Sequence, residues 1–459
     1  MKMRLTVLLA FAAAFASAED PGLETKAWQS AIDEAARGGG GVVTIPPGQH
    51  VTGQLYLRNN VELRLDEGAV LEGAPGLHNY VVHYLPFSEG TWSAVVVGIG
   101  VTNVAITGKG MIFGNGKSFP KVRAVGGCDE GFRPRGVFFA DSEQIRLEDF
   151  RLYDAACWGI VLKRCSGVTA RRVQVNSVAN VNNDGFDVEA KNVLIEDCDV
   201  ESGDDGYCIK SNDPGFTVEN VVVRNCRVRT HCTALKLGTA SHGTMRNVRF
   251  EGIVVRAPRR VYRDLAPMPT DLTRYYPVAG APTYLCGPSI AAICVECVDG
   301  GVVEDVTFDD IDISGVCVPI HIRGGTRTGR ECGIPASARR ILRNVVVSNV
   351  RGRAEQPRPS MIMGVEGCRI DGVTLRNVLL ECVGEGADAN ARPFLVPGAE
   401  AAGGYPDAGM FSQYHFPAYG LFVDHADNVK LENVRFTLRP GTTDARTAVH
   451  GAAQTPDSP

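Results

Sequence analysis

Asn192-Val193-Leu194-Ile195, Asn220-Val221-Val222-Val223 and Asn247-Val248-Arg249-Phe250 are three copies of one short pattern, an Asn followed by a strand-like apolar segment. Gly167-Val168-Thr169-Ala170 is a fourth, and from Val168 to Val193, Val221 and Val248 the steps are 25, 28 and 27 residues. More distant copies start at Asn60, Asn103, Asp305, Asn344, Gly372 and Asn428. The longer gaps of 43, 58 and 56 residues read as two coils, or as one coil with a long loop. Such a step is too short for a propeller blade and brings no helix for a leucine-rich repeat. It suits one three-strand turn of a parallel β-helix, in which no single coil buries its own apolar face and a tall stack is required. The expected fold is all-β, a right-handed parallel β-helix. A β-sandwich is the competing architecture, but its hairpin signals should recur about every 8–12 residues.

Outward from the repeats, Lys26 to Arg37 reads as a short amphipathic helix carrying Trp28, Ile32 and Ala35-Ala36, ended by Gly38–Gly41. It would cap the open edge of the first coil. Residues 257–293 and 383–416 break the rhythm and read as long surface loops. Met1 to Arg4 place positive charge ahead of the apolar run Leu5–Ala16, which ends in Ala16-Ser17-Ala18. Residues 1–18 are therefore expected to be a signal peptide cleaved after Ala18, leaving a secreted or periplasmic protein. A run this short does not reach the roughly 20 residues of a membrane span. The remaining chain divides into one β-helix catalytic domain, 19–440, and a weakly ordered tail, 441–459.

The hydrophobic fraction of 44% is ample for a core, and 52 Gly suit many turns between short strands. A net charge of −5 gives no reason to expect nucleic acid or an anionic membrane as partner. The 14 Cys invite disulfides in an exported chain, yet Cys165, Cys198, Cys226 and Cys368 fall inside strand patterns, where Cys acts as a small apolar residue. Mostly buried thiols are expected, with one or two bridges. Cys294 and Cys297 form one CxxC with no second pair, which argues against zinc.

The chemistry is concentrated in Asn182-Asn183-Asp184-Gly185-Phe186-Asp187 and Ser202-Gly203-Asp204-Asp205-Gly206. Asp184 lies 20 and 21 residues before Asp204 and Asp205, close to one coil, so their carboxylates should converge on one face. Carboxylates held together cannot all ionise, and one keeps its proton. A protonated acid beside ionised partners is what glycoside hydrolysis needs. Clustered acids also suit calcium. Asp187, Asp197 and Asp199 read as turn or solvent-facing groups.

These motifs resemble glycoside hydrolase family 28, the polygalacturonase family. Its Asn-Thr-Asp is matched by Asn182-Asn183-Asp184 and its Gly-Asp-Asp by Gly203-Asp204-Asp205. The similarity extends from Lys26 to about Arg446 and takes in Gly39–Gly48, Gly108-Lys109-Gly110, Trp158-Gly159-Ile160 and Pro417-Ala418-Tyr419-Gly420. The resemblance implies a pectin-lyase-like solenoid and inverting hydrolysis of a pectic polysaccharide or oligosaccharide. Asp204 would then be the general acid, with Asp184 and Asp205 holding and deprotonating the attacking water. It implies no metal and no organic cofactor; a monomer is expected. The chain departs from the family at Gly-His-Gly, whose His position falls on Thr233 with His231 two residues earlier, and it lacks Arg-Ile-Lys. These departures make it similar to the divergent bacterial branch. The candidate substrate-binding residues are Asn182, His231, Lys210, Lys236, Arg260, Arg263 and Arg323. A polysaccharide lyase on the same fold and a non-catalytic carbohydrate-binding protein are the alternatives.

Overall fold

The computed structural model describes residues 22–87, 91–119, 133–180, 182–259, 289–326, 340–387, 408–409 and 415–451. The signal-peptide expectation for residues 1–18 lies outside them, as do Arg260 and Arg263. Among the described residues, no helix is long and apolar enough to cross a membrane.

Parallel ladders dominate. Val168 pairs with Val193, Val193 with Val221, Val221 with Val248, Val248 with Val306, Val306 with Val345 and Val345 with Val373. A second ladder runs Leu152, Val175, Val200, Val228 and Val255. A third runs Val137, Ile160, Phe186, Tyr207, Leu235, Ile293 and Ile320. Each coil thus contributes three strand segments, and the steps of 43, 58 and 56 residues are each one coil with a long insertion, as from Val248 to Val306. One coil is hidden from the repeat scan. Gln144-Ile145-Arg146-Leu147 occupies the step between Val104 and Val168 with Gln in place of Asn.

The repeat has a stereochemical cause. Asn192, Asn220 and Asn247 adopt φ of 54°, 57° and 51°, the left-handed region that Asn tolerates better than most residues. Asn220 Nδ2 donates to Asn192 Oδ1 at 2.9 Å, and Asn247 Nδ2 to Asn220 Oδ1 at 2.7 Å, forming a ladder along the stack. The following Val turns inward to a fully buried column, each worth roughly 1.5–3 kcal/mol over exposure. Phe250 and Phe308 stack at 5.0 Å within it. Asn220→Ala should cost about 1–2 kcal/mol through the strained backbone and two lost side-chain bonds. Asn220→Gly should cost less, because Gly adopts positive φ freely. Urea unfolding of both variants checks this, and equal losses would mean that backbone strain plays no part.

The helix Thr25–Arg37 packs on the strands Gly41–Ile45, Leu55–Tyr56 and Val61–Leu65. Ile32 is fully buried, and Trp28, Ala31, Ala35 and Ala36 lie against the same core. At the other end, residues 447–450 form a strand paired with Ala418–Asp424, and Arg446 is buried on Asp444 at 2.7 Å. The expected weak order from residue 441 is therefore not what residues 441–451 adopt. Thr447–His450 is short and lacks the repeat pattern, so it did not read as a strand.

The eleven described cysteines are free and buried, including Cys165, Cys198, Cys226 and Cys368. The one or two bridges expected are thus absent among the described residues; Cys128, Cys286 and Cys332 lie outside them.

Candidate active site

The two acidic motifs occupy the corner where each coil enters the third ladder. Gly185 N–H donates to Asp205 O at 2.8 Å, and Gly159 N–H donates to Asp184 O at 2.8 Å, so Asp184 and Asp205 stand one above the other. The glycine after each Asp is dictated by space. A Cβ on Gly185 would sit 2.5 Å from Gly206 O, and one on Gly206 would sit 2.6 Å from Ala234 O. Small residues let successive corners approach closely, and the preceding carboxylates project from that column.

Asn183 fixes the first corner. Its Nδ2 donates to the carbonyls of Ala155 and Cys157 at 2.8 and 3.1 Å, and its Oδ1 accepts the N–H of Asn180. The second corner is tied to the first by the N–H groups of Gly203 and Asp204, both donating to Asn183 O. Asn182 Nδ2 donates to Asp204 Oδ2 at 3.3 Å, while its Oδ1 accepts from Arg133 Nη2 at 2.9 Å. Asn182 is therefore brought to the acidic cluster, and buried Arg133 stands behind it.

Two lysines enter the cluster from the following strands. Lys236 Nζ lies 3.0 Å from Asp205 Oδ2, and Thr233 N–H donates to Asp205 Oδ1 at 3.2 Å. Lys210 Nζ lies 2.8 Å from Asp187 Oδ1, 3.6 Å from Asp184 Oδ2 and 3.5 Å from the Trp158 ring centroid. Cations interleaved with the acids oppose a calcium ion at this place.

Asp187 is thus corrected from a turn or solvent-facing group to a buried member of the cluster. Phe186 points inward, so strand alternation turns Asp187 outward onto the face that Lys210 occupies one coil later. That parity was the available signal. Asp197, at φ 56°, is a turn residue, and Asp199 is a partly exposed partner of Arg229 at 3.1 Å.

His231 is fully buried and its N–H donates to Ser202 O. The position stacked on Asp205 belongs to Thr233, while Cys232 Sγ lies within 4.8 Å of the Asp204 and Asp205 carboxylates. Arg323 lies further along the same ladder, donating to the carbonyls of Met363 and Gly364 at 3.3 Å. Sequence reading also missed Lys163 and Glu189, paired at 2.5 Å and buried beside the cluster.

Asp184 holds its proton well above the usual carboxylate range. Burial is the largest cause, then the charge of Asp187; Lys210 counteracts, and Asp204 and Asp205 add to the rise. Lys210 does not reverse it because its ammonium sits closer to Asp187. A carboxyl whose folded pKa is raised lets the folded state bind more protons than the unfolded one. Stability contributed here therefore falls as pH rises from the ordinary Asp value toward the folded value. Asp184→Asn, which needs no proton, should gain on wild type across that window. Melting curves from pH 4 to 8 test this, and a gap that stays flat or reverses would refute it.

The site thus stacks carboxylates on one face of a parallel all-β fold, with the pKa of Asp184 raised among them. Comparison with known proteins gives the following matches. Residues 86–225 match the model of glycosyl hydrolases family 28. The chain is 27% identical over 253 residues to a probable polygalacturonase of Vitis vinifera, a match covering 50% of this chain and 51% of that protein. It superposes on a hyperthermoactive exopolygalacturonase from Thermotoga maritima with a TM-score of 0.63 at 18% identity, covering 90% of this chain and 88% of that one. A family 28 exopolygalacturonase of Yersinia enterocolitica gives 0.66 at 17% identity, covering 96% and 76%. The chain spans about half the length of the curated relatives it matches. The match to glycosyl hydrolases family 28 thus covers residues 86–225, the part of the chain that holds both acidic motifs.

Proposed function

We propose that this chain is an inverting glycoside hydrolase of pectic polysaccharide or oligosaccharide, working outside the inner membrane after loss of residues 1–18. Its coils would wind right-handed as one pectin-lyase-like solenoid over residues 19–440. The observation that carries the reading is the stacking of Asp184 on Asp205, with Asp204 beside them, and the raised pKa of Asp184 supports it.

Asp204 is the least buried of the three, which supports its reaching a leaving oxygen as general acid. Asp205, gripped by Lys236 and the Thr233 N–H, would deprotonate the water, which Asp184 would help to hold. Lys210 and Lys236 already lie on carboxylates of the site, so we assign them to tuning the acids rather than gripping a uronate.

Reducing-end release from polygalacturonan, rhamnogalacturonan and their oligomers, with a chelator present, tests the reading. Release from at least one of them is expected. Silence on every pectic substrate from folded protein would favour a carbohydrate-binding role, and near-ultraviolet-absorbing unsaturated products would mean a lyase.

A further inference from the structure

The strand Ser289–Cys297 carries Cys294 and Glu296 two residues apart, hence on one face of the sheet. Its register sets Cys294 beside His321 of the next coil. Cys297, three residues on, turns the opposite way into the apolar core. The sequence-local CxxC therefore cannot chelate, while Cys294, Glu296 and His321 gather without any sequence motif. Cys294 Sγ lies 3.3 Å from Glu296 Oε1, and the ligand atoms of all three residues lie within 4.8 Å of one another. All three side chains are fully buried.

We propose that Cys294, Glu296 and His321 form a binding site for a borderline-soft divalent cation of the zinc class. Thiolate, imidazole and carboxylate are its donor set, whereas calcium and magnesium would want oxygens alone. Tetrahedral bonds of about 2.3 Å to sulfur and about 2.0–2.1 Å to nitrogen or oxygen place ligand atoms roughly 3.3–3.6 Å apart. The Cys294–Glu296 edge already has that length. The remaining edges need to close by at most about 1.5 Å, within reach of side-chain rotation.

The surroundings fit the assignment. Thr239 Oγ1 donates to Glu296 Oε2 at 2.9 Å, an outer-shell bond that orients the carboxylate. Two cations flank the site by register, Lys236 beside Cys294 and Arg323 beside Glu296. The Lys236 ammonium is engaged by Asp205, and the Arg323 guanidinium by the Met363 and Gly364 carbonyls. One thiolate and one carboxylate balance a dication, so the buried site carries no net charge when filled. Such an ion would clip two successive coils just after the insertion within the 58-residue step, next along the ladder from the acidic cluster.

The test is metal content, which does not depend on the hydrolytic reading. Full-length protein is loaded with zinc, dialysed against metal-free buffer and analysed by mass spectrometry. About one zinc per chain is expected. Cys294→Ser and His321→Ala should retain less than a tenth of it. Cys208→Ser is the control, because Cys208 shares the outward row but gives its thiol to Gly238 O at 3.0 Å; it should retain zinc in full. Equal retention by wild type and Cys294→Ser, or equal loss in Cys208→Ser, overturns the site. Cobalt substitution is read on wild type alone, so it holds even where a variant does not fold. A thiolate-to-cobalt charge-transfer band is expected, and its absence also overturns the proposal.

Discussion

Asp204→Asn is expected to lower kcat/KM on a pectic substrate by about 10²–10⁴-fold, the range contributed by a positioned general acid. The isosteric amide can still accept the bond from Asn182 Nδ2, so the fold should persist and KM should change little. The diagnostic measurement adds a second substrate, a glycoside whose aryl leaving group departs without protonation. Loss of a general acid is then largely rescued, whereas loss of the groups that hold water is not. Asp184→Asn and Asp205→Asn should therefore remain slow on both substrates. The pKa of Asp184, raised by burial and by Asp187, makes the comparison decisive. Should Asp184→Asn be the variant that the activated leaving group rescues, the acid and base roles are exchanged. Wild-type rates from Asp204→Asn would remove the hydrolytic mechanism altogether.

How much of this was legible in the sequence follows from what each feature requires. The coil repeat was legible because its Asn and Val have separate physical duties, positive φ with a side-chain ladder outside and core packing inside. Asp184, Asp204 and Asp205 were legible because one short coil separates them. Features that depend on exact register were not. Asp187 with Lys210, and Lys163 with Glu189, face each other only when strand parity and coil length are both known. The Cys294, Glu296 and His321 cluster is further hidden by its neighbour Cys297, whose spacing suggests a chelate that alternation forbids. The coil at Gln144 escaped because Gln, at φ 54°, fills the place of Asn. Arg323 reads in the sequence as a candidate substrate-binding residue, and its guanidinium donates to two backbone carbonyls.

Lys163→Met should be among the most destabilising single changes in this molecule, by about 3–5 kcal/mol. Lys163 and Glu189 are 2% and 3% exposed and 2.5 Å apart, on strands that stack one coil from the next. Burial pulls the Lys163 ammonium below its ordinary pKa, with Glu189 the largest opposing influence. Removing the ammonium leaves a carboxylate that still accepts from Asn212 Nδ2 at 3.2 Å and from the Asp213 N–H at 3.1 Å, but with its buried charge no longer balanced. The double variant Lys163→Met with Glu189→Met removes both charges, and should regain much of the loss, because two apolar side chains carry no desolvation cost. Glu189 also ties down the residues that follow Lys210, so the single variant should lower hydrolytic rate as well as stability. Urea unfolding of the two single variants and the double variant gives the coupling energy directly. If the double variant is as unstable as the sum of the singles, the pair acts through packing alone, and the buried charge beside the carboxylate cluster has no energetic link to it.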